Sequence, residues 1–187
     1  MRIGVLSLQG AFREHLDTLK TIGVEGVAVR LPRDLDDVAG LIIPGGESTT
    51  MRKLIDRWGL RQPILDLAGT GAPIFGTCAG MIVLDRDHLG LVDVAVERNA
   101  YGRQVASFEA DLGLEGDERP LRGIFIRAPR VREAAPEVEV LAELDGEPVA
   151  LRQGRFIVTS FHPELTDDTR IHERFLQLVE EENLVGT

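Results

Sequence analysis

The chain holds one cysteine, two lysines, one tryptophan and one tyrosine in 187 residues. A lone thiol, Cys78, cannot close an internal disulfide, and no Cys/His cluster has the spacing of a zinc site. Positive charge is scarce too. There are 21 basic and 31 acidic side chains, and the net charge of −10 argues against a nucleic-acid-binding surface. No apolar run approaches the ~18 residues of a membrane span. The apolar start, MRIGVLSLQG, soon reaches Gln9 and Gly10 and lacks the small-residue cleavage pattern of a signal peptide. It reads as a first strand, and the expected location is cytoplasmic. What remains is ordinary globular composition, in a chain long enough to bury roughly 70% of its unfolded surface. With no linker, repeat or low-complexity segment, residues 1–187 are expected to form one domain.

Short apolar strands are predicted over 2–8, 24–30 and 41–43, with an amphipathic helix over 11–22 carrying Phe12, Leu16 and Leu19 on one face. A helix capped by Ser48 or Thr49 follows, with Met51, Leu54 and Ile55 inward, then another over 63–68. Alternating strands and helices indicate an α/β fold with a mainly parallel sheet flanked by helices in three layers. The second half changes character. Strands are predicted over 91–96, 104–110, 123–126, 138–144, 148–153 and 156–160, with Asp145-Gly146 as a hairpin turn. That half is expected to extend the sheet in antiparallel fashion. A closing helix over 169–182 carries Ile171, Phe175, Leu178 and Val179 inward, and the run Glu180-Glu181-Glu182 reads as its solvated end.

Cys78 lies in Gly76-Thr77-Cys78-Ala79-Gly80, directly after the apolar Pro73-Ile74-Phe75. A buried strand running into G-x-C-x-G is the sequence form of a nucleophile elbow, where the side chain is pushed out above the sheet at a strand-to-helix turn. The glycines permit a strained backbone and close approach of strand and helix. A helix N-terminus favours thiolate over thiol. Free cysteine is also among the most buried residue types, so a structural thiol is the competing reading.

A thiolate nucleophile needs a base. His162 stands in Ser160-Phe161-His162-Pro163-Glu164 just past a predicted strand, and in parallel sheets ligands bind beyond the carboxyl ends of strands. Glu164 can turn back onto the imidazole and set its tautomer. His172 is expected at a solvated helix surface, His15 at a surface or interface position on the first helix, and His88 in a loop. Pro44-Gly45-Gly46-Glu47-Ser48 follows a strand and exposes backbone N–H groups for an oxyanion or carboxylate. It is not a phosphate-binding loop, because G-x-x-x-x-G-K-[ST] is absent.

GVLSLQGAFREH, LIIPGGESTTMRKL, FGTCAGMI, VERNAYGRQVASFEADL, GIFIRAP and SFHPELT together resemble the glutaminase-subunit family of pyridoxal 5'-phosphate synthase, a class I, triad-type glutamine amidotransferase. The resemblance runs from residue 3 to about 167, with a segment between Leu84 and His88 shorter than usual. It implies a flavodoxin-like amidotransferase fold. It implies Cys78 as nucleophile, His162 as base and acid, and Glu164 as orienting carboxylate. Gly46, Glu47, Ser48, Arg98, Ile126 and Arg127 match the glutamine-binding positions, and Gly46 and Ala79 the oxyanion hole. It further implies L-glutamine as substrate, no cofactor, and ammonia delivery to a separate synthase subunit in a large hetero-oligomer around a dodecameric core. The alternatives are an amidotransferase subunit serving another synthase, such as imidazole glycerol phosphate synthase, and a catalytically silent binding protein on the same fold.

Overall fold

A computed structural model of the chain describes residues 1–98 and 107–185. Its elements run β1 (Arg2–Leu6), α1 (Phe12–Thr21), β2 (Glu25–Val29), β3 (Gly40–Ile43), α2 (Ser48–Arg57), α3 (Arg61–Gly69), β4 (Ile74–Thr77) and α4 (Ala79–Leu84) in the first half. The second half holds β5 (Val94–Glu97), β6 (Ser107–Leu114), β7 (Leu121–Ile126), β8 (Arg130–Ala134), β9 (Glu139–Leu144), β10 (Glu147–Gln153), β11 (Phe156–Thr159) and α5 (Arg170–Val185). The strand expected over 104–110 falls partly outside the described residues, and its described part opens β6.

The main sheet has the order β2-β1-β3-β4-β11-β10-β9-β6-β7. From β2 to β11 every neighbouring pair is parallel. From β11 to β7 every pair is antiparallel. The parallel sheet and its antiparallel extension are therefore one surface, joined at β11. β5 and β8 form a separate antiparallel ribbon. β8 was not expected: four of its residues, Arg130-Val131-Arg132-Glu133, show no apolar alternation, and the strand is only half-buried at best.

Successive strand residues face opposite sides, which sorts the core into two layers. Ile3, Val5, Ile42, Phe75 and Ile157 pack under α1 and α5 with Leu19, Ile171, Phe175 and Val179. Leu6, Leu41, Ile43, Ile74 and Val158 pack under α2, α3 and α4 with Met51, Ile55, Ile64 and Met81. This is the three-layer arrangement that the alternation of elements predicts. The order β2-β1-β3-β4 is that of a flavodoxin-like sheet, and β3, β4 and β11 are adjacent, so their carboxyl ends open on one common area.

Two expectations are corrected here. His15 and His172 are not at the surface; both are 0% exposed. They sit on the inner faces of α1 and α5, at helical spacing with Leu19 and with Phe175, Leu176 and Val179. The cap of α2 is neither Ser48 nor Thr49 but Glu47, whose carboxylate accepts from the Thr49 N–H at 3.0 Å and the Thr50 N–H at 2.7 Å.

Candidate active site

The site begins at the end of β4. Cys78 has φ 50° and ψ −103°, a left-handed backbone that an L residue adopts only under strain. Its N–H is held by the Thr159 carbonyl at 2.7 Å, so β11 fixes the turn from the side. α4 starts at the next residue, and the strand and helix meet at Gly76 and Gly80. A Cβ on Gly76 would lie 2.7 Å from the Gly80 backbone, and one on Gly80 would collide with the Ile43 carbonyl. The elbow read from G-x-C-x-G is thus present, with its glycines required by close approach. The thiol is buried and contacts the Ile126 carbonyl at 3.8 Å.

His162 follows β11, the strand beside β4. Its N–H donates to the Ile124 carbonyl of β7 at 2.8 Å. Its Nδ1 lies 2.7 Å from Glu164 Oε1, and its ring shares the cleft with Cys78. Burial opposes charge on this imidazole. Interactions with Cys78 and Glu164 outweigh burial and raise its pKa to about 10. Cys78 and His162 thus meet at one cleft, and Glu164 continues from His162 into the core.

The turn after β3 closes the third side. Gly45 packs against the imidazole, where a Cβ would collide with His162 Cε1. Its carbonyl accepts from the Ala11 N–H at 3.0 Å. The Glu47 carbonyl accepts from Gln9 Nε2 at 3.0 Å and from the Met51 N–H at 2.9 Å. The turn is clamped at both ends. Gln9 was missed by sequence reasoning; only its place at the carboxyl end of the first strand hinted at a role.

These pieces surround a cleft of about 440 Å³. Gly46, Glu47, Ser48, Cys78, Ala79, Arg98, Ile126, Arg127 and His162 all line it, while Glu164 sits behind His162. Ala79, as the first residue of α4, has an N–H without an intrahelical acceptor. The two arginines differ. Arg98 donates to Thr49 Oγ1 at 2.9 Å and to Glu47 Oε1 at 3.1 Å. Three bonds to Thr50 and Thr49 hold the Glu47 carboxylate ionised, with its pKa lowered to about 2. Arg127, with φ 44°, is exposed and has no ion-pair partner among the described residues. The tract Asn99 to Ala106 of the quoted motif lies outside the described residues. Among the described residues no group of His, Cys, Asp or Glu could hold a metal ion.

A thiol on a strained elbow, a histidine in the same cleft held by a carboxylate, and the free N–H at the start of α4 have the form of a cysteine-dependent acyl-transfer site on an amidotransferase fold. The chain belongs to the SNO glutamine amidotransferase family, whose model matches residues 5–181. It is 52% identical over 187 residues to the "Pyridoxal 5'-phosphate synthase subunit PdxT" of Bacillus velezensis, covering 96% of this chain and 95% of that one. It is 50% identical over 194 residues to the protein of the same description from Geobacillus kaustophilus, covering 100% and 99%. A solved structure described as a glutamine amidotransferase superposes with a TM-score of 0.91 at 46% identity, over 95% of this chain and 98% of that one.

Proposed function

We propose that the chain is the glutaminase subunit of a pyridoxal 5'-phosphate synthase. It hydrolyses L-glutamine to L-glutamate and ammonia and delivers the ammonia for pyridoxal 5'-phosphate synthesis. The observation that carries the chemical reading is the convergence of Cys78 and His162 on one cleft, with Glu164 Oε1 2.7 Å from His162 Nδ1. In this reading the Cys78 thiolate attacks the side-chain amide carbon of glutamine. The negative oxygen of the tetrahedral intermediate is met by the N–H groups of Ala79 and Gly46. His162 then gives its proton to the departing nitrogen, ammonia leaves, and a γ-glutamyl thioester remains. Neutral His162 next takes a proton from water, whose oxygen attacks the thioester; glutamate leaves and the thiolate is restored. Glu164 stabilises the imidazolium in both halves. No step calls on a cofactor.

Arg127, Arg98, Glu47, Ser48 and Ile126 are the groups proposed to recognise the α-carboxylate and α-ammonium of glutamine, with Arg127 as the open cation. Ammonia needs an acceptor, and nothing in the cleft supplies the sugar-phosphate chemistry of cofactor synthesis, so the proposal includes a separate synthase subunit, in a large assembly around a dodecameric core. Among the described residues no helix is long and apolar enough to cross a membrane, and the proposed location is the cytoplasm. The test is Cys78→Ala assayed with the synthase. Glutamine should no longer support product formation, while added ammonia still does. Wild-type use of glutamine by this variant would refute the assignment.

A further inference from the structure

Behind Glu164 lie buried polar side chains that the reaction above does not use. His15 on α1 and His172 on α5 face each other between the helices and the sheet, with His15 Nδ1 2.9 Å from His172 Nε2. His15 Nε2 lies 3.2 Å from Thr77 Oγ1, one residue before the nucleophile, and 3.5 Å from Glu164 Oε2. The Glu164 side chain is 0% exposed. Its Oε1 is taken by His162, and its Oε2 has no closer partner among the described residues. A buried carboxylate oxygen without a donor is costly, and the group facing this one is the His15 ring.

The protons can be placed. Burial first, and then the neighbouring His172 and His162, hold His15 well below its ordinary value. Burial takes His172 down to about 4. Both rings are therefore neutral at physiological pH, and each carries one N–H. With its proton on Nδ1, His15 would turn a lone pair toward a carboxylate, and His172 would be left with an orphan N–H on Nδ1, an atom with no partner. With its proton on Nε2, His15 points an N–H at Thr77 and Glu164. His172 Nε2–H then donates to His15 Nδ1, and only a lone pair on His172 is left over. An orphan lone pair is the more tolerable of the two.

We infer that His15 is a positioning residue: its Nε2–H holds Oε2 of Glu164 so that Oε1 stays on His162, while His172 fixes the His15 tautomer. The inference rests on the triad reading of the site. It carries the contact chain from His162 through Glu164 and His15 to His172 and ties the elbow strand, the turn after β11, α1 and α5 into one unit.

Two substitutions of similar polarity separate this role from mere packing. In His15→Gln the amide N–H sits near the Nε2 position and can still reach Glu164. In His15→Asn the shorter amide reaches only the Nδ1 position, where its oxygen can accept from His172 Nε2–H, so the contact to His172 survives and the one to Glu164 is lost. Each variant is assayed in complex with the synthase subunit, with kcat expressed per folded chain and melting temperature measured alongside. His15→Asn should lower kcat by about 10- to 100-fold, the scale on which outer hydrogen-bond partners act, with KM changed less than about twofold. His15→Gln should retain most of the activity. Cys78 is the only thiol, so the pH dependence of its alkylation by iodoacetamide in the isolated chain is a second readout. Its midpoint should rise in His15→Asn and not in His15→Gln. Equal kcat values and equal alkylation midpoints for the two variants, whatever their melting temperatures, would overturn the inference. Cys78→Ala keeps the two readings apart. If that variant hydrolyses glutamine, the triad reading fails. If it is inactive while His15→Asn turns over like wild type, the role of His15 alone falls.

Discussion

At the scale of single residues, protonation of His162 couples the site to stability. Its folded pKa, about 10, exceeds the ordinary 6.5 despite burial, because Cys78 and Glu164 hold the charged form. For a raised pKa, the stabilisation is fully present below 6.5 and is lost as pH rises through about 10. Melting curves taken across that window should therefore show wild type losing stability relative to His162→Asn, which lacks the titrating group. A constant difference between the two across the window would mean that the imidazolium is not held by the pair.

The two cleft arginines make separable predictions. Arg98 is already tied to Glu47 and Thr49, and an exposed pair of this kind contributes about 0–1 kcal/mol. Arg127 is the open cation, and losing a charge-assisted bond to a carboxylate costs about 1.5–3 kcal/mol. Arg127→Ala should then raise the KM for glutamine by at least about tenfold, with an unchanged melting temperature. Arg98→Ala should raise it less. A lowered melting temperature with an unaltered KM in Arg127→Ala would assign that arginine a structural role. Cys78, His162 and Glu164 were readable because each sits in a short motif at a strand end. His15 and His172 were not, because the charged residues around them, such as Arg13, Glu14 and Glu173, masked which helix face turns inward. The apolar spacing around Leu19 and Phe175 held that signal.

At the scale of elements, the turn after β3 carries the most stringent steric demand. Gly45 lies against the His162 ring, so Gly45→Ala must displace either the turn or the imidazole. A displacement of about 1 Å in a catalytic group costs roughly 10² in rate. The variant should bind the synthase and keep its fold, yet lose about that factor in kcat. Unimpaired turnover would show that His162 does not work from this position. The same turn has a second property. Its Gly45 and Glu47 carbonyls are anchored by Ala11, Gln9 and Met51, whereas the Gly46–Glu47 peptide between them has no hydrogen bond to another described residue. The G-G pair was legible as a donor turn. The anchoring was not, because Gln9 and Ala11 come from a loop far away in the chain. The cap of α2 shows a related limit: Glu47 precedes two candidate hydroxyl caps, and only its reach to Thr49 and Thr50 decides between them.

At the scale of the whole molecule, β11 is the pivot. It pairs parallel with β4 and antiparallel with β10, so the nucleophile strand and the extension belong to one sheet. The extension then returns to the site: β7, at its far edge, supplies the carbonyls of Ile124 and Ile126 that hold the His162 backbone and contact the Cys78 thiol. Alternation of apolar strands and helices revealed the parallel half. The antiparallel half was legible as strands but not as a wall of the cleft, since its pairing joins segments distant in sequence. The Gly46 N–H belongs to the Gly45–Gly46 peptide, whose carbonyl is held by the Ala11 N–H at 3.0 Å, so control from outside would act by keeping or breaking that bond. Docking of a synthase subunit near the Gly45-Gly46 turn can hold the productive peptide orientation, and a missing oxyanion donor is worth roughly 10²–10³ in rate.

The most direct measurement is glutamate formation at saturating glutamine while the synthase subunit is titrated into a fixed amount of this chain. Slow turnover by the isolated chain, rising through kcat to a plateau as the complex saturates, is the predicted result. A flat response at full activity would contradict control by the partner, and no glutamate at any synthase concentration would contradict the glutaminase itself.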